Sequence, residues 1–115
     1  MIQHQKWKDE IRILIIDEQN RGSVQIAIPC YECNISGKAD ALIYALYVDS
    51  SCRRKGIATK LLQLAEHQIK LNGLQIAGIE FDKEESESFV LDWYFRSGYK
   101  PFKKKSNLLI KELKG

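Results

Sequence analysis

The chain has 115 residues, of which 44% are hydrophobic and 29% charged, with a formal net charge of +3. That length bounds it to one domain with a real core, and so mild a charge gives no bulk electrostatic argument for nucleic acid. No apolar run approaches the ~20 residues of a membrane span, the polar start MIQHQKWKDE lacks the apolar segment of a signal peptide, and three cysteines, an odd number, weigh against a disulfide framework; a cytoplasmic protein without membrane contact is expected.

Ile11, Ile13 and Ile15 alternate with Arg12, Leu14 and Ile16, which predicts a strand. Asp17 to Ser23 (DEQNRGS) is turn chemistry, and Val24, Ile26 and Ile28 alternate again, so the two runs form a hairpin. Pro29 marks an edge or the strand's end, and Asn34 to Lys38 (NISGK) is a second turn. Ala41 to Val48 (ALIYALYV) is apolar on both faces, the pattern of a central strand covered on both sides. A helix follows, with Ile57, Leu61, Leu62, Ala65 and Ile69 near one face and Asn72-Gly73 as its stop. Leu74 to Phe81 is a further strand, and Asp82 with Glu85 has capping-box spacing for a helix carrying Phe89, Val90, Trp93 and Tyr94 that ends near Ser97-Gly98. Tyr99 to Lys104 and Asn107 to Leu113 close the chain as two strands around a lysine-rich turn. The order ββ-β-α-β-α-ββ, with a parallel crossover from Ala41 to Phe81, places the fold in the α/β class, or α+β with a mixed sheet.

Charge is unevenly spread: Glu80 to Asp92 is acidic and Lys100 to Lys114 is basic. Two solvated faces of opposite sign explain this, and the patch Lys103-Lys104-Lys105 with Tyr99 and Phe102 leaves nucleic-acid binding as the weaker reading. Cys30 and Cys33 have C-x-x-C spacing, but zinc wants four ligands. Cys52, His67 and His4, the last in a terminus expected to fray, complete no evident set, so no metal is expected.

Arg53-Arg54-Lys55-Gly56-Ile57-Ala58 lies between the apolar strand and the helix. Backbone N–H groups at a helix start lack intrahelical partners and can point at an anion. Gly56 lets the backbone approach a ligand closely, and the three cations add formal charge. The loop reads as a phosphate cradle.

The run LYVDSSCRRKGIATKLL resembles the central motif of the GNAT superfamily of acetyl-CoA-dependent N-acetyltransferases, Q/R-x-x-G-x-G/A, with Arg53, Gly56 and Ala58 in its defined positions. Tyr94-Phe95-Arg96-Ser97-Gly98-Tyr99 is similar to the family's Y-x-x-x-G-F, with Tyr for Phe at the end. The resemblance covers residues ~39 to 113, by the element order read above. It implies a GNAT-like fold and an acetyl-CoA co-substrate whose diphosphate sits on the N–H groups of Arg54, Lys55, Gly56, Ile57 and Ala58, with Arg53, Arg54 and Lys60 facing the outer phosphates. It implies that the main chain of Leu46 and Val48 tracks the pantetheine arm, and that Tyr94 protonates the leaving thiolate. The acceptor is then a primary amine, on a small molecule or a protein, attacking directly in a ternary complex. Free amines have a pKa near ~10.4 and need a base at neutral pH; of Glu80, Asp49 and Tyr44, Glu80 ranks first.

Two positions depart from the family pattern. Its Asn about seven residues before the tyrosine is Glu87 here. Its usual N-terminal pair of helices has no counterpart in the first 38 residues, which read as strands and turns. These departures keep a second reading in play, a non-catalytic acyl-CoA-binding or regulatory module. They also point to exposed sheet edges that a homodimer would cover.

Overall fold

A computed structural model gives the fold and describes residues 1–7, 10–28, 39–52, 55–81, 88–103 and 107–113. Seven strands form one sheet: β1 (Ile2–Trp7), β2 (Glu10–Ile16), β3 (Gly22–Ile28), β4 (Ala41–Val48), β5 (Ile76–Glu80), β6 (Lys100–Pro101) and β7 (Leu108–Glu112), in the order β1-β2-β3-β4-β5-β7-β6. A 3-10 turn (Ser50–Cys52) and helix α1 (Ile57–Leu71) join β4 to β5, and helix α2 (Ser88–Arg96) follows β5. Neighbouring strands are antiparallel except β4 and β5, which are parallel across the α1 crossover as the sequence predicts. The expected C-x-x-C pair, the NISGK turn and the Asp82/Glu85 cap lie outside the described residues.

Strand β1 corrects the expectation of a frayed, polar terminus. Its side chains carry little apolar signal because β1 is an edge strand, held by backbone pairing from Ile2↔Ile15 to Trp7↔Glu10. The connection from β1 to β2 is two residues long.

Alternation divides the sheet into two faces. Ile13, Ile15, Val24, Ile26, Ile43, Ala77, Ile79 and Leu109 form the main core with Ile57, Leu61, Leu62, Ala65 and Ile69 of α1. These five α1 residues are the ones that the helical spacing selects. From α2, Val90, Leu91, Trp93 and Tyr94 pack on the same core. Both helices therefore cover one face. The other face has a smaller cluster of Ala39, Leu42, Ile76, Phe102, Leu108 and Ile110, and no helical side chain joins it among the described residues.

Tight turns fix the loop end of the sheet. Asp17, 8% exposed, receives the Arg21 guanidinium at 2.7 and 3.1 Å and the backbone N–H groups of Gln19 and Arg21. The Arg21 carbonyl in turn accepts from the Asp49 N–H at 2.7 Å, at the exit of β4. Hydrogen bonding from the Arg21 side chain outweighs desolvation and holds the Asp17 carboxyl down at about 2. A depressed folded-state pKa contributes stability that is complete above the ordinary carboxylate range and is lost as pH falls through it toward 2. Asp17→Asn should therefore lower the urea midpoint at pH 6, with the gap to the parent closing between pH 4 and 2. A gap that stayed constant over that range would assign the loss to geometry rather than charge.

Candidate active site

Strands β4 and β5 pair through only three positions, Ala41↔Ala77, Leu42↔Gly78 and Ile43↔Ile79, and then diverge. At their paired end the Asp40 carboxylate accepts from the N–H groups of Gln75 and Ile76 at 3.1 and 2.9 Å, tying the two strand starts together. At the other end β4 is deformed. Register with β3 runs Gln25↔Tyr44 and then Ser23↔Tyr47, so Ala45 and Leu46 oppose one residue, and Ala45 has a φ of 52°. This is a β-bulge, which bends the strand and turns one side chain out of alternation. The result places Tyr44 and Tyr47 together on the helix-free face, while Leu46 and Val48 pack toward the core. The expected double cover of β4 holds for its first half only: Ala45 is exposed and Tyr47 is 58% exposed.

From the end of β4 the chain runs through the 3-10 turn to the start of α1. Gly56 is the helix N-cap, with φ 76°, and no side chain caps the turn. The first intrahelical bond is Lys60 N–H to the Gly56 carbonyl at 3.0 Å, so the N–H groups of Ile57, Ala58 and Thr59 precede the helical ladder. A Cβ at Gly56 would meet nothing within 4 Å. The space beside Gly56 is open, which leaves room for an anion near this stretch of backbone. Lys55 and Lys60 are exposed beside it, whereas Arg53 and Arg54 lie outside the described residues.

On the helix side, α2 ends in a Schellman motif that explains the Y-x-x-x-G spacing. Gly98, at φ 100°, turns the chain, its N–H bonding the Phe95 carbonyl at 3.1 Å while the Tyr99 N–H bonds the Tyr94 carbonyl at 3.0 Å. Tyr94 is thereby fixed among aromatic rings, 5.2 Å from Trp93, 6.2 Å from Tyr99 and 6.4 Å from Phe81 between centroids. Burial raises the pKa of its phenol, and among the described residues its hydroxyl makes no hydrogen bond. Tyr99 is different: it is 2% exposed, and its hydroxyl donates to Glu66 at 2.7 Å, which also receives Lys111 at 3.2 Å. Tyr99 is therefore structural, and the basic-aromatic patch expected at the C-terminus loses its tyrosine.

Glu80 stands one residue beyond the last β4–β5 pair, exposed, on the face opposite Ile79 and Phe81. Tyr44 holds the same relation on β4, so the two flank the mouth of the gap on the helix-free face. Arg12 donates to the Tyr44 hydroxyl at 2.7 Å and pairs with Glu10 at 2.9 Å. Asp49, the third base considered, accepts from the Ser51 N–H and hydroxyl at 3.0 and 2.8 Å and serves the turn. His4 lies in β1, His67 on the exposed side of α1, and Cys52 is a free thiol. No group of three metal-ligating residues occurs among the described residues, and no described helix is long and apolar enough to cross a membrane.

The apolar pattern of β4 predicts neither the bulge nor the strand divergence, and no glycine marks Ala45. The one available signal is Tyr44 and Tyr47 spaced three apart in a strand.

A family model for the acetyltransferase (GNAT) domain matches residues 9–101. Among solved structures, the chain resembles an acetyltransferase of the GNAT family from Staphylococcus aureus, with a TM-score of 0.66 at 15% identity over 91% of this chain and 68% of that one. It also resembles the NatC complex bound to Gag peptide and CoA (0.67, 19%, 90% and 71%). A third similar fold is the PaiA N-acetyltransferase from Thermoplasma acidophilum in complex with coenzyme A (0.62, 20%, 93% and 60%). At these identities the likeness is one of fold. No curated protein matches the chain significantly.

Proposed function

The chain belongs to the GNAT acetyltransferase family, and from that premise we propose that it transfers an acetyl group from acetyl-CoA to a primary amine in a ternary complex, in the cytoplasm. The single observation that carries this reading is the open seam beyond Ile43↔Ile79, which ends on the uncapped, glycine-started α1.

The thioester of acetyl-CoA supplies an activated acyl carbon and a thiolate leaving group. The chain's own groups are arranged around that chemistry. First-turn N–H groups of α1, with the helix dipole behind them, hold the diphosphate, and Lys55 and Lys60 add charge. Past the bulge the Leu46 and Val48 main chain has no β5 partner, so it can pair with the amide-bearing pantetheine arm as with an added strand. An N–H of this stretch steadies the carbonyl oxygen as it gains charge. Glu80, on the helix-free face, takes a proton from the arriving ammonium. Tyr94, on the helix side, gives a proton to the departing sulfur. Acid and base thus stand on opposite faces of the sheet, and the proton lost by the amine need not be the one gained by the thiolate.

Acetyl-CoA at ~100 times its dissociation constant should stabilise the protein by ~2.7 kcal/mol, which for a domain of this size raises the melting temperature by about 10 °C or more. An unchanged melting curve at millimolar acetyl-CoA would sink the proposal. The second reading, a non-catalytic acyl-CoA-binding module, is favoured by one feature: β1 and β2 are joined by two residues, where the family resemblance implies a pair of helices. Binding without coenzyme A release across a broad amine panel would favour it.

A further inference from the structure

The β-bulge has an effect beyond opening the seam. By adding a residue it puts Tyr47 on the helix-free face, where Tyr47 walls a cavity of about 230 Å³ with Leu14, Ile16, Asn20, Gly22 and Ser23. This cavity lies over β2 and β3, on the sheet face that carries Glu80 and Tyr44 at the mouth of the seam. Among the described residues its lining has no charged side chain. A second ammonium placed there would find no acidic partner in that lining and would stand beside the Met1 ammonium, which donates to the Ile16 carbonyl at 2.8 Å. Arg12, two residues from Leu14 on this face, is taken up by Glu10 and the Tyr44 hydroxyl. The space falls below the ~300 Å³ at which ligand pockets usually begin, so it suits one ring or a short chain. Adjacent strands are about 5 Å apart, which puts the cavity about 5–10 Å from the seam.

Resting on the acetyltransferase reading above, we infer that the acceptor is a primary amine with an uncharged apolar arm, a short alkyl chain or a single ring two carbons from the nitrogen. The ammonium sits by Glu80 at the seam, and the arm lies across β3 between Leu14, Ile16 and Tyr47. Glu80 recognises the charge that all amines share, and the cavity selects among them.

The test compares 1-hexylamine, 2-phenylethylamine, ethylamine and 1,4-diaminobutane by coenzyme A release, with the whole chain and saturating acetyl-CoA. Burying several methylenes should raise kcat/KM for hexylamine at least tenfold over ethylamine, and the diamine should rank with or below ethylamine. Tyr47→Ala, at an exposed position, and Leu14→Gln should each shrink the hexyl-to-ethyl ratio toward one while leaving the acetyl-CoA dissociation constant unchanged. Equal kcat/KM for all four amines, preference for the diamine, or a ratio that survives both variants would overturn the inference. If no amine releases coenzyme A although acetyl-CoA binds, the transferase reading fails. Calorimetric titration of hexylamine into the acetyl-CoA-loaded protein then decides separately: binding weakened tenfold in Tyr47→Ala keeps the apolar-arm site, and absence of binding removes it.

Discussion

Tyr94→Phe should lower kcat by about 10²-fold or more, the usual scale of general acid catalysis, with the melting temperature and acetyl-CoA affinity nearly unchanged. The structure separates these quantities. Ring contacts with Phe81, Trp93 and Tyr99 survive in phenylalanine, and the lost hydroxyl has no hydrogen-bond partner among the described residues. Burial raises the phenol's pKa, so the acid stays protonated throughout the neutral range. Its ionisation sets an alkaline limb displaced above the ordinary phenol value of about 10. That limb should vanish in the variant, since no proton remains to be lost. Parallel loss of turnover and affinity would mean that the ring packs and the hydroxyl does nothing.

Gly56→Val should weaken acetyl-CoA binding by roughly 10- to 100-fold, the worth of one or two charge-assisted hydrogen bonds. Left-handed backbone costs an ordinary residue roughly 1–2 kcal/mol, more when it is β-branched. No packing cost adds to this, because a Cβ at Gly56 meets nothing within 4 Å. A control exists at the other end of the same helix. Gly73 has the same φ of 76° and the same open space, so Gly73→Val should lose similar stability while keeping acetyl-CoA affinity. If both variants lose affinity alike, the helix start holds no diphosphate. Gly22 behaves differently: a Cβ there would stand 2.5 Å from the Tyr47 carbonyl oxygen, so that glycine is required by packing at the bulge.

What could be read in advance follows a physical rule. The buried stripe of α1 was legible residue by residue because burial on one side of a helix forces a period, and Leu61, Leu62, Ala65 and Ile69 obey it. Tyr94 and Gly98 were legible because a Schellman turn fixes their spacing. β1 was not: an edge strand held through its backbone needs no apolar alternation, and Ile2–Trp7 shows none. β6 is shorter than the expected strand from Tyr99 to Lys104: it spans Lys100–Pro101, and one further backbone bond runs from the Phe102 N–H to the Leu108 carbonyl at 2.9 Å. The second half of β4 departs for another reason. Its run of apolar residues reads as core on both faces, yet only Leu46 and Val48 pack on the core, while Ala45 and Tyr47 are exposed. Sequence hydrophobicity alone cannot tell an exposed apolar side chain from a covered one.

The three-pair contact between β4 and β5 has a mechanical meaning. Strands β1 to β4 and β5 to β7 make two leaves of one sheet, stitched at one corner by Ala41–Ile43, Ala77–Ile79 and the Asp40 clasp. Helix α1 is the covalent spine between them. A ligand lying along the unstitched margin would complete the sheet as a missing eighth strand. Some of the energy of binding acetyl-CoA would then go into bridging that margin, while the core that both leaves share with α1 holds them together.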